Sequence, residues 1–260
     1  MKNGDRPALD VTGLCKSFLG QPVLESVSFT LPAGETLAIL GESGCGKTTL
    51  LRIVGGLLPA EGGRITAGDR EISHGTPRER GIVYLGQETL LFEHLDCFEN
   101  IAFALRLKRL KSAAVHSRVE PLLRATGLVA HARKRSHELS GGQKQRAAFA
   151  RAILADPRVL LLDEPFGSLD AITRQQMQTL FRDLRAQYSM TSIFVTHDLK
   201  EALAVGDRFA VLRDGRMRTF ATRADFLKDD ATGVRAEVGF WKEIADEIET
   251  DRATDDLGRG

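Results

Sequence analysis

Three short stretches of the chain carry side chains suited to phosphate chemistry. The first is Gly41-Glu42-Ser43-Gly44-Cys45-Gly46-Lys47-Thr48, followed by Thr49. It has the full spacing G-x-x-x-x-G-K-[ST], in which glycines let the backbone wrap closely around phosphate oxygens with N–H groups turned inward. Lys47 is expected to reach the β- and γ-phosphates of a nucleotide, and the Thr48 hydroxyl to hold Mg²⁺. Gly41, Ser43, Gly44, Cys45, Gly46, Lys47, Thr48 and Thr49 are therefore the expected phosphate-binding residues. Cys45 sits at a helix start, where the dipole is expected to favour thiolate. The loop alone does not separate kinases, GTPases and motor ATPases. The second stretch is Val159-Leu160-Leu161-Leu162-Asp163-Glu164-Pro165, an apolar run ending in two acids. Asp163 is placed to support Mg²⁺, and Glu164 to polarise an attacking water as general base. The third is Leu139-Ser140-Gly141-Gly142-Gln143. A serine cap with two glycines at a helix start makes a second anion-binding helix end.

These residues need elements to hold them. Thr36 to Leu40 reads as a short buried strand before the glycine loop, and Lys47 to Val54 as a helix after it, ended by Gly55-Gly56 and Pro59. Val23 to Leu31 alternates apolar and polar residues and leads into a Pro32-Ala33-Gly34 turn. Val159 to Leu162 and Ser192 to Thr196 are continuous apolar runs, the pattern of parallel strands buried on both faces. Asp170 to Gln187 reads as a helix between them. Strands alternating with helices predict an α/β domain, in which ligands sit at the carboxyl ends of the strands. From about Glu88 to Gly142 the pattern changes: Phe98 to Leu110 and Ser112 to Thr126 have helical periodicity, which predicts a helical insertion. The end of the chain, after Trp241, is acidic and is expected to be loose.

Composition narrows the function classes. Thirty-six basic residues face 35 acidic ones, a net charge of +1, which argues against non-specific nucleic-acid binding. Three scattered cysteines, Cys15, Cys45 and Cys97, include no C-x-x-C pair, which argues against zinc and against a disulfide framework. No apolar run approaches the roughly 20 residues that span a bilayer, and Met1 to Pro7 lacks the apolar core of a signal peptide. Any membrane role is expected to come through a partner.

On the motifs above the sequence closely resembles the ABC ATPase family, over about Leu9 to Gly239. The resemblance implies a P-loop NTPase fold with a RecA-like core (about 1–87 and 143–240), an N-terminal antiparallel β subdomain, a helical subdomain (about 88–142) and a tail at 241–260. It implies ATP and Mg²⁺ as ligands. Ser140, Gly141 and Gly142, with Gln143, would serve the ATP held by a second subunit, so that two composite sites form in a head-to-tail dimer, homomeric or heteromeric. Gln87 lies at the Q-loop position, implying a Mg²⁺ contact and a link to the membrane partner. Ser168-Leu169-Asp170 matches the D-loop, and Thr196-His197-Asp198 the switch histidine, so that His197 would contact the γ-phosphate and help hold the attacking water. Phe18, after Lys16-Ser17, stands where the family stacks an aromatic ring on adenine; as a residue it equally suits the core.

Glu79 to Gln87 resembles the maltose-type importer segment, with Val83 where that family commonly has glycine and Gly86 where it has phenylalanine. Glu93 replaces a usual proline, and Asp96-Cys97 a threonine-valine pair. Leu91 to Leu107 and Pro165 to Gln178 are most similar to importer ATPases for sugars, polyamines, oxyanions, sulfonates or osmolytes. The resemblance thus implies an ATP-hydrolysing subunit at the cytoplasmic face of a bacterial inner membrane, partnered by transmembrane permease subunits and a substrate-binding protein. About 20 residues follow Gly239, so a C-terminal regulatory barrel is expected to be absent. A soluble ABC ATPase or a nucleotide-dependent regulatory module is the alternative. Glu164 and His197 weigh against a module without turnover. A long coiled coil or a second cassette, the marks of the repair and translation types, is not found in the sequence.

Overall fold

The structure is a computed structural model and describes residues 7–88, 90–230 and 233–240. The tail expected at 241–260 lies outside the described residues, as do the first six residues. Among the described residues, ten strands form two sheets. In the first, β2 (Gln21–Leu31), β1 (Leu9–Phe18), β4 (Gly62–Ala67) and β5 (Arg70–Glu71) lie in that order, all antiparallel. The second has the order β10-β9-β3-β8-β7-β6. Its strands β3 (Thr36–Leu40), β6 (Ile82–Leu85), β7 (Val159–Asp163), β8 (Ser192–Thr196) and β9 (Arg208–Arg213) are parallel, and β10 (Arg216–Phe220) pairs antiparallel at the edge. The chain is therefore the α/β architecture expected, with an antiparallel β layer contributed mainly by the N-terminal segment.

The parallel strands are apolar throughout because both faces are covered. In β7, Val159 and Leu161 point into a core shared with the antiparallel sheet and α1 (Lys47–Val54), while Leu160 and Leu162 point into a second core. In β8, Ile193 and Val195 take the first side and Phe194 the second. That second core runs without a break through α3 (Cys97–Leu107), α4 (Ser112–Ala125), α5 (Gly141–Leu154) and α6 (Ala171–Tyr188). Between α1 and α3 the one-turn α2 (Pro77–Arg80) precedes β6. A third, smaller core packs α7 (Leu199–Val205) and α8 (Arg223–Leu227) on β3 and β9; Phe209 and Phe226 stack there at 4.8 Å between ring centres.

Helix ends follow local chemistry. Asp96 caps α3, accepting from the Glu99 N–H at 2.8 Å, so the helix begins one residue before the expected Phe98. It ends at Leu107, short of the expected Leu110, because the chain turns at Arg109 with φ 55°. Between residues 88 and 142 the described residues contain no strand, only an isolated bridge from Asp96 to Arg135, as the helical reading of this insertion predicts. The β9–β10 hairpin was not foreseen, although Asp214-Gly215 at its turn (φ 48° and 73°) has the residue types a two-residue hairpin loop demands.

Candidate active site

The glycine loop joins β3 to α1 and lies where the parallel strands end. The Gly41 N–H donates to the Thr196 carbonyl at 3.2 Å, tying the start of the loop to the end of β8. Any side chain at Gly41 would place its Cβ 2.6 Å from the Leu212 carbonyl and 2.7 Å from Cys45 Sγ. Gly46 has φ 106° and a Cβ there would meet the Val23 carbonyl at 2.9 Å, so both positions demand glycine. Gly46 is also the N-cap of α1 and supplies no side-chain cap, which leaves the first-turn N–H groups facing the loop. Lys47 is 5 % exposed and folds back over the loop, donating to the carbonyls of Gly41 at 2.7 Å and Glu42 at 2.9 Å.

The two acids meet this loop from β7. Adjacent residues of a strand face opposite sides, yet Asp163 and Glu164 both line one cleft of about 290 Å³ with Ser43, Gly44, Gly46, Lys47, Thr48, Thr49 and Gln87. The reason is the backbone of Glu164, which is left-handed at φ 45° and so breaks the alternation as the strand ends. Its N–H donates to the Val195 carbonyl at 3.0 Å, which holds the turn. Glu164 Oε1 lies 3.3 Å from Lys47 Nζ, and Oε2 lies 3.0 Å from His197 Nδ1. Thr48 Oγ1 donates to Asp163 Oδ1 at 3.2 Å. Lys47, Thr48, Asp163, Glu164 and His197, spread over 151 residues of sequence, are thus linked by direct contacts.

A second cleft of about 750 Å³ lies on the other side of the loop and is lined by Gly41, Ser43, Gly44, Cys45 and His197, with the β9–β10 turn. Cys45 corrects an expectation. Burial pushes its thiol pKa up, and neither the neighbouring Lys47 charge nor the N–H bonds of the loop offset this, so thiolate is disfavoured rather than favoured.

Other expected residues stand apart from this cluster. Phe18 is 44 % exposed at the end of β1, with Lys16 Nζ 5.3 Å from its ring centre; it is not part of the core. Ser140 caps α5 in a closed box: the Gln143 N–H donates to Ser140 Oγ at 3.3 Å and the Ser140 N–H to Gln143 Oε1 at 3.0 Å. Gly141 has open space where a Cβ would be, whereas at Gly142 one would touch the Thr173 methyl at 2.9 Å. Asp170 caps α6, accepting from the Ile172 and Thr173 N–H groups, and the Thr173 bond above all holds its carboxyl below the usual range. Among the described residues lining the two clefts, none of Phe18, Ser140 to Gln143 or Asp170 is found.

Some residues of the neighbourhood have no role assigned to them by the sequence motifs. Tyr84 of β6 donates its hydroxyl to Asp163 Oδ2 at 2.7 Å; burial, then this bond, push its phenol up to about 12. Beneath His197, Glu201 is buried and accepts from Thr196 Oγ1 at 2.8 Å. Arg174 of α6 reaches both Asp198 and Glu201, at 3.9 and 3.5 Å, tying the helix that Asp170 caps to the histidine turn.

The sequence profile of the family described as ABC transporter matches residues 24–167, more than half of the chain. The chain belongs to this family. The match runs from β2 through the glycine loop and the helical insertion to the acid pair. Among curated proteins, the sulfate/thiosulfate import ATP-binding protein CysA of Xanthomonas campestris is 44 % identical over 218 residues, 82 % of this chain and 64 % of that protein. The spermidine/putrescine import ATP-binding protein PotA of Shigella flexneri is 40 % identical over 236 residues, 89 % of this chain and 62 % of that protein. Its Escherichia coli counterpart is 40 % identical over 223 residues, 86 % and 59 %. The ABC chain thus spans roughly three-fifths of the length of these relatives. None of its described helices is long and apolar enough to cross a membrane.

Proposed function

We propose that this ABC-family chain binds and hydrolyses ATP and so energises import through a membrane transporter. The observation that carries the reading is the junction of Lys47 and His197 on the two oxygens of Glu164, at 3.3 and 3.0 Å, beside the glycine cradle. Glu164 would take the proton from the attacking water, His197 would orient it, and Lys47 would balance charge on the terminal phosphate. The donor set fits Mg²⁺: the Thr48 hydroxyl, the Asp163 carboxylate and the Gln87 amide oxygen are all hard oxygen ligands around one cleft. When bound, Mg²⁺ would neutralise charge on the β- and γ-phosphate oxygens. Phe18, exposed beside Lys16, would stack on the base.

Ser140 to Gly142 and Asp170 lie off both clefts, which supports a role for them on the nucleotide of a second ABC subunit. We assign residues 1–87 and 143–240 to the nucleotide-binding body and 88–142 to the body that meets a permease subunit; exposed Leu90 and Leu107 on the latter support docking there. Relatives named for an anion and for polycations match 82 % and 89 % of this chain, at 44 % and 40 % identity. This supports a shared engine, with cargo chosen by the permease and a substrate-binding protein. The chain would then sit on the cytoplasmic face of the membrane through these partners.

The test is ATP turnover by the purified protein and by Glu164→Gln. Turnover of the variant is expected to fall at least 100-fold, with an ATP-dependent dimer accumulating in size exclusion. Undiminished hydrolysis by Glu164→Gln, or by a monomer with Ser140–Gly142 disabled, would refute the reading.

A further inference from the structure

Asp163 is held at both of its oxygens, and one of the holders comes from a strand that carries no nucleotide motif. Tyr84 pairs with Leu161 in the β6–β7 register, so its side chain lies on the face shared by Leu161 and, two residues on, Asp163. The phenol is long enough to reach diagonally past Leu161 to the strand end, where its hydroxyl meets Asp163 Oδ2 at 2.7 Å. Thr48 Oγ1 takes Oδ1 at 3.2 Å. With a donor on each oxygen, rotation of the carboxylate is restrained and one orientation is fixed toward the cleft.

That reach depends on Gly86. A Cβ there would lie 3.1 Å from Tyr84 Cε1 and 3.5 Å from its hydroxyl oxygen, so any side chain at 86 presses on the ring end that bears the donor. The ring and the glycine form one device: the phenol supplies the bond and the missing side chain supplies its room.

We propose that Tyr84 is a positioning residue for Asp163, fixing the carboxylate for Mg²⁺ held beside Thr48, and that Gly86 is required for this placement. The inference rests on the reading of Asp163 as the metal-supporting acid. Residues that orient a metal-supporting group typically change metal affinity about 10–100-fold when removed. Tyr84→Phe keeps the ring and deletes only the donor.

The experiment measures Mn²⁺ affinity by electron paramagnetic resonance, using the full chain with saturating non-hydrolysable ATP analogue. Analogue affinity in EDTA and thermal melting are recorded in parallel. Asp163→Asn tests the parent reading: if Mn²⁺ affinity is unchanged in that variant, Asp163 does not support the metal and the proposal falls with it. If Asp163→Asn weakens Mn²⁺, Tyr84→Phe is expected to weaken it about 10-fold, with analogue affinity in EDTA unchanged. Gly86→Ala is expected to weaken Mn²⁺ in the native background and to add nothing to Tyr84→Phe. A Tyr84→Phe affinity within about twofold of the native value, well under the expected range, would overturn the proposal while leaving Asp163 in place. So would a Gly86→Ala effect that adds in full to that of Tyr84→Phe.

Discussion

Arg80 holds α1 from behind, and its removal offers a test of how that helix is anchored. The side chain is 4 % exposed and donates Nη1 to the carbonyls of Ile53 and Val54 at 2.7 and 2.8 Å, the last turn of α1. Nε donates to the Gly75 carbonyl and Nη2 to that of Ser73, both at 2.8 Å. A cation at a helix C-terminus is favourable both for the orphan carbonyls and for the dipole. No described carboxylate pairs with this guanidinium, and burial lowers its pKa. Arg80→Ala therefore removes four hydrogen bonds, the Ile53 carbonyl keeping the Gly56 N–H. At about 1 kcal/mol net for each lost bond, the loss is about 4 kcal/mol, or roughly 8–16 °C in melting temperature for a domain of this size. Lysine can direct its three donors from one point only, so Arg80→Lys should recover about half of that. The assay is urea unfolding followed by circular dichroism, with ATP-analogue affinity measured below the transition. A loss under about 1 kcal/mol, the worth of a single bond, would show that water replaces the guanidinium and that Arg80 does not anchor α1.

Two further outcomes follow from titrating groups. Because burial raises the Cys45 thiol, alkylation at neutral pH, followed by peptide mapping, should be slower at Cys45 than at a free model thiol; a faster rate would restore the thiolate reading. Burial likewise raises Glu201, with Asp198 adding to the shift and Thr196 and Arg174 opposing it. An acid whose folded pKa lies above its unfolded value contributes stability below about pH 4.5 and loses it as pH rises through the folded value. Thermal melting of Glu201→Gln relative to the native chain should therefore improve as pH is raised above about 4.5; a difference that does not change with pH would count against the shift.

Much of the site was legible because its chemistry is written in contiguous runs. Gly41 to Thr48 needs only a strand before it and a helix after it, and both β3 and α1 fell where those residues demanded. The apolar run of β7 implied burial on two faces, and the two acids at its end marked the cleft. What sequence could not supply was the partner across the fold. Tyr84 and Asp163 are 79 residues apart, and nothing near either announces the other. Arg174 and Glu201 meet only because α6 and α7 pack together. Cys45 shows the opposite case, in which a local rule was read correctly but tertiary burial outweighed it. The β9–β10 hairpin did carry a local cue in Asp214-Gly215, which the helix-and-strand pattern elsewhere obscured.

Glu164 sits in a backbone conformation that glycine or asparagine would occupy more comfortably, at a cost of about 1–2 kcal/mol for a long side chain. Folding stability alone would thus steer this position away from glutamate, and only the proposed role as base would hold it there. A descendant relieved of that proposed role would be free to drift to glycine at 164 and grow sturdier as it did so, keeping the glycine loop while losing the acid beside it.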